Sequence, residues 1–74
     1  MTPYQCWQAR KLLRWSEEQL AKEAGCSRQT VKSSEKGNSV RPDMQRRIER
    51  ALKGADVEFT DGDAPGVRLK RAGA

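Results

Sequence analysis

The chemistry this chain offers is cationic. Of its 15 lysines and arginines, eight lie between residues 27 and 53, against three acidic residues. Residues 1–26 carry four basic and three acidic residues, and residues 54–74 three and four, so the formal net charge of +5 sits in the middle third. A localised excess of this kind draws polyanions, because each neutralised phosphate releases condensed counterions. Taken alone, it also fits a solvated basic helix face. Catalytic and metal chemistry find little support. There is no histidine, and Cys6 and Cys26 are 20 residues apart with no CxxC pair. A zinc site needs about four ligands. No glycine-rich phosphate loop and no carboxylate pair in an apolar setting is present, so neither an enzyme, a cofactor nor a small-molecule ligand is expected.

The elements that must hold these cations can be read from periodicity and punctuation. At 74 residues the chain makes one domain with a small core. A first helix is expected over residues 3–14, with Pro3 in its first turn and Cys6, Ala9 and Leu13 on one face, Arg10 beside them. Ser16-Glu17-Glu18-Gln19 reads as a reciprocal capping box opening a second helix, whose inward face is Leu20, Ala21 and Ala24 and whose stop is Gly25. Ser27 caps a third helix, polar and basic except for Val31, which ends at Gly37. After a loop over 38–41, Pro42 and Asp43 start a fourth helix. Here Met44, Ile48 and Leu52 recur every four residues, and Arg46, Arg47, Arg50 and Lys53 cover the other sides. This helix ends near residues 54–56. Val57-Glu58-Phe59-Thr60 and Val67-Arg68-Leu69-Lys70 then alternate around the turn-forming residues 61–66, which predicts two short strands. A lone hairpin is marginal in water. Val57, Phe59, Val67 and Leu69 therefore either pack within one chain or serve as dimer contacts across two.

The two central helices carry a specific spacing: Leu20-Ala21-x-x-Ala24-Gly25, then five residues to Val31, then Glu35-x-Gly37. Small residues at 21 and 25 allow close approach of two helices, and Val31 plugs the space between them. On these residues the chain resembles the phage-repressor and Cro family of helix-turn-helix regulators (XRE type), over roughly residues 5–52. The resemblance implies a mainly α fold, a compact lambda-repressor-like bundle of four or five helices, to which the alternating residues after 56 add a short C-terminal β segment. It implies a sequence-specific, double-stranded-DNA-binding transcriptional regulator, such as a repressor, that binds a palindromic operator as a homodimer. By resemblance the recognition helix is residues 27–36. Arg28 and Gln29 then stand where the family meets base edges, a fit reinforced by the bidentate pairing of arginine with guanine and glutamine with adenine. Lys32 and Ser33 follow one turn later. Ser27, Thr30, Lys36, Asn38, Ser39 and Arg41 are expected at phosphates, where contacts fix register without reading sequence. The family places a glutamine just after the cap of the second helix. This chain has Glu17 there, so either Gln19 takes over as the phosphate anchor or that anchor is absent. The family also pairs an arginine of the first helix with a glutamate of the third, here Arg10 and Glu35, as a structural ion pair. Ser34 departs from the family, which has an apolar core residue at that position.

Residues 1–55 are thus expected to form the DNA-binding domain, 56–71 a short β segment able to dimerise, and 72–74 a frayed tail. The same fold also serves protein-interaction modules such as antitoxins and antiactivators. A docking surface for protein would be more apolar than residues 27–36. Trp7 and Trp15 are read as helix-end packing rather than base-stacking platforms. No apolar run is long enough to span a membrane, and no signal peptide is visible. A cytoplasmic protein of a bacterium or phage is expected, its two thiols reduced and used as small apolar fillers.

Overall fold

Polar caps and left-handed stops cut the chain into short helices. The computed structural model describes residues 1–60 and 62–70. It contains α1 (Pro3–Leu12), α2 (Glu17–Ala24), α3 (Arg28–Lys36), α4 (Pro42–Gly54), β1 (Val57–Thr60) and β2 (Gly66–Leu69). Among the described residues there are four helices and a short β segment, a mainly α fold in line with the expected class.

A capping box opens α1. Thr2 Oγ1 accepts from the Gln5 N–H at 3.1 Å, and Gln5 Oε1 accepts from the Thr2 N–H at 2.8 Å. The signal Thr2-x-x-Gln5 was present in the sequence. At Ser16 only half of the expected box forms. Ser16 Oγ accepts from the Gln19 N–H at 3.0 Å, but the Gln19 amide turns forward and donates to Glu23 Oε2 at 2.8 Å. The charge-assisted bond from Nε2 to Glu23 draws the amide forward, so its Oε1 does not accept from the Ser16 N–H.

Three helices stop by the same device. Cys26 N–H donates to Ala21 O and Gly25 N–H to Lys22 O, with Gly25 at φ 70°. Asn38 and Gly37 repeat this on Ser33 and Ser34, with Gly37 at φ 80°. Trp15 and Arg14 do so on Arg10 and Lys11, but there the left-handed residue is Arg14, at φ 59°. The first helix consequently ends at Leu12, two residues before the expected limit. Without a glycine at this stop, apolar periodicity ran past the true end.

The core is formed by Cys6 and Ala9 of α1, Leu20, Ala21 and Ala24 of α2, Val31 of α3, Ile48 and Leu52 of α4, and Val57 of β1. Met44, which shares the face of Ile48 and Leu52, is only half-buried. The strands pair antiparallel within one chain, with Val57 opposite Leu69 and Thr60 opposite Gly66. The second strand begins one residue earlier than expected, at Gly66, and Lys70 lies outside it, donating its N–H to Asp56 O at 2.7 Å. Gln5, almost fully buried, holds the turn end of the hairpin: its Nε2 donates to Thr60 O at 3.0 Å and Gly66 O at 3.1 Å. The expected frayed tail, 72–74, and Asp61 of the expected turn lie outside the described residues. Among the described residues, no helix is long and apolar enough to cross a membrane.

Candidate nucleic-acid interface

The pair α2 and α3 is joined by Gly25, Cys26 and Ser27. Gly25 takes the left-handed conformation that reverses the chain without a steric penalty, and a Cβ there would also meet the Arg47 guanidinium at 3.8 Å. Arg47 Nη1 donates to Gly25 O at 3.2 Å, so one arginine of α4 is occupied in holding the turn. Ala21 and Val31 are both buried between the helices.

The third helix is fixed from two sides. Arg10 and Glu35, the pair implied by the resemblance, are brought together in a fork: Nε to Oε2 at 2.7 Å and Nη2 to Oε1 at 3.0 Å. The third arm, Nη1, donates to Trp15 O at 3.0 Å. Both side chains are nearly enclosed, at 9% and 7% exposure. The hydrogen bond to Glu35 pushes the Arg10 pKa still further up, against the opposing effect of burial. Ser34, the departure from the family pattern, faces the interior. Its hydroxyl donates to Gln45 Oε1 at 2.8 Å and lies 3.9 Å from Cys6 Sγ. A polar residue in the core is thus satisfied by a partner on α4. Burial pushes the Cys6 thiol up to about 11, partly offset by the Ser34 hydrogen bond.

With its inner face committed, α3 turns its remaining residues outward. Arg28, Gln29 and Lys36 are exposed, and Lys32 and Ser33 half-exposed. Ser27 Oγ accepts from the Thr30 N–H at 3.1 Å and is hydrogen-bonded to Thr30 Oγ1 at 2.9 Å, so these two hydroxyls are tied to each other. A shallow groove between α3 and the segment after it is lined by Gln29, Thr30, Ser33, Ser39 and Arg41, with apolar Val40 and Met44. Five residues singled out by the sequence therefore converge on one surface. Asn38 is exposed beside it, directly after the Gly37 stop. Arg41 is exposed, its Nε 3.5 Å from Asp43 Oδ1. Gln19 lies apart from this group, engaged with Glu23.

Sequence reasoning missed the partner of Arg28. Its Nη1 donates to Glu18 Oε1 at 3.2 Å across the two helices. No local signal links residues ten apart on different helices. Trp7 stacks on Tyr4 with ring centroids 5.7 Å apart and Lys11 Nζ 5.9 Å above its ring, while Trp15 packs against the core. Val57 is wholly enclosed by its own chain. Its side chain therefore leaves no surface for the dimer contact considered for it, whereas Phe59, Val67 and Leu69 remain half-buried.

A search of curated proteins returned no match. A helix-turn-helix family profile matches residues 8–59, most of the chain and all of the two-helix unit. By that match, the chain belongs to the XRE-type, Cro/C1-like helix-turn-helix family of DNA-binding regulators.

Proposed function

We propose that the protein recognises a specific duplex sequence by inserting α3 into the major groove, with two copies bound to a palindromic site. The observation that carries this is the exposed start of α3, Arg28 and Gln29, with Gln29 lining one groove together with Ser33, Ser39 and Arg41. The major groove admits one α-helix, and these two side chains match guanine and adenine edges in bidentate fashion. Lys32 and Ser33 supply a second row of donors. Ser27, Thr30, Lys36, Asn38, Ser39 and Arg41 anchor phosphates, and Gln19 does so after releasing Glu23. Residues 1–55 carry these contacts. Residues 56–71 offer a second copy the half-buried Phe59, Val67 and Leu69 and the free edges of the hairpin. A two-fold pair would read half-sites one helical turn apart, about 34 Å. The protein then acts in the compartment that holds its DNA.

Selection of bound sequences from random duplexes, followed by titration of variants, tests this reading. Arg28→Ala is expected to weaken the selected site by about 1–3 kcal/mol and relax preference at one base pair. Arg41→Ala is expected to weaken all duplexes alike. Sequence preference unchanged in Arg28→Ala would remove Arg28 from the reading role. Sedimentation on the selected duplex that shows one copy per site would remove the dimer.

A further inference from the structure

Arg28 does not stand free at the tip of α3. Its Nη1 lies 3.2 Å from Oε1 of Glu18, in the first turn of α2, with the two side chains 55% and 76% exposed. Among the described residues this is the only hydrogen-bond or ion-pair partner of Arg28, and it engages one terminal nitrogen. The Nε and Nη2 donors remain open.

We propose that Glu18 is a specificity-determining positioning residue, which neutralises Arg28 while leaving one edge of its guanidinium free for a base. This rests on the assignment of Arg28 as a reader. Attraction to phosphate depends on net charge, and a paired Arg28–Glu18 unit has none; the carboxylate moreover repels an approaching phosphate. Guanine O6 and N7 are neutral acceptors that require two directed donors, and the open edge supplies them. Glu18 therefore penalises binding to arbitrary backbone more than binding to the correct base. An exposed pair is weak, so the effect is a few-fold, and it falls on the ratio between specific and non-specific affinity.

The test uses the full chain, its selected duplex and a scrambled duplex of equal length and composition, titrated over a range of salt. Glu18→Gln is expected to tighten binding to the scrambled duplex by up to about fivefold. The selected duplex should change by less than about twofold, so that the specificity ratio falls. The log–log salt slope on scrambled DNA should steepen toward one more phosphate, about 0.9. In an Arg28→Ala background, Glu18→Gln should no longer alter the ratio. Asp63→Asn, exposed in the segment between β1 and β2, controls for net charge and should leave the ratio unchanged. The proposal is overturned if Glu18→Gln shifts both duplexes equally, changes neither, or acts undiminished without Arg28. A wild-type protein with no preference for its selected duplex would refute the reading role of α3 itself. A preference that is intact and indifferent to Glu18→Gln would refute only the inference about Glu18.

Discussion

Arg10→Ala is the most informative single perturbation of the fold, because it leaves Glu35 charged, 7% exposed and unpaired beside the core. The substitution removes both arms of the fork, at 2.7 and 3.0 Å, and the donor to Trp15 O at 3.0 Å. Removing one partner of a buried ion pair costs about 3–5 kcal/mol, most of it the burden of the orphaned charge. A domain of this size has a total stability of about 4–11 kcal/mol at typical per-residue values, so the loss consumes a large part of it. Each 1 kcal/mol moves the midpoint of a domain this small by about 4–8 °C, which gives a fall of at least about 12 °C. Calorimetry and urea titration measure it directly. The paired substitution Arg10→Met with Glu35→Met separates charge from packing. It leaves no buried charge and retains only the loss at Trp15 O, about 1 kcal/mol, so it should be more stable than Arg10→Ala alone. The reasoning is refuted if Arg10→Ala lowers the midpoint by less than about 4 °C, a shift of about 1 kcal/mol, or if the paired variant is the less stable of the two.

Gln5→Leu should loosen the hairpin selectively, since Thr60 O and Gly66 O lose their donors at about 1–3 kcal/mol for each group left unsatisfied. Amide exchange should accelerate in β1 and β2 while α2 and α3 keep their protection, and unchanged strand protection would remove Gln5 from this role. The two thiols should differ in reactivity. Cys6 is fully buried with its pKa pushed up to about 11, whereas Cys26 is half-exposed. Alkylation of the native protein at pH 8 should label Cys26 and spare Cys6; equal labelling would show that the core opens readily. The raised Cys6 pKa has a further consequence of definite sign. The unfolded thiol ionises first, so stability from its burial is full below the ordinary value of 9.0 and is lost as pH rises toward about 11. The alkaline loss should be absent in Cys6→Ala.

The sequence by itself determined the helical segments, the helix-turn-helix unit and the pairing of Arg10 with Glu35 that family resemblance implied. The segments and the two-helix unit follow from signals within a few residues, such as Ser27 and Gly25, or from a spacing such as Ala21, Gly25 and Val31 that reflects one packing solution; the Arg10–Glu35 pair, 25 residues apart, came from the resemblance alone. The end of α1 was misjudged because Arg14 adopts a conformation usually left to glycine, and its side chain gives no sign of it. Tertiary structure decided the rest. The hairpin packs on its own chain, where Gln5, some 55 residues earlier, satisfies the carbonyls of Thr60 and Gly66 at its turn. Ser34 enters the core because Gln45 comes from another helix to accept its hydrogen bond. The partner of Arg28 was fixed only when α2 and α3 met. Local backbone preference acts over one helical turn and can be read in order, whereas charge and hydrogen-bond satisfaction act over a few ångströms of space, between residues that only folding makes neighbours.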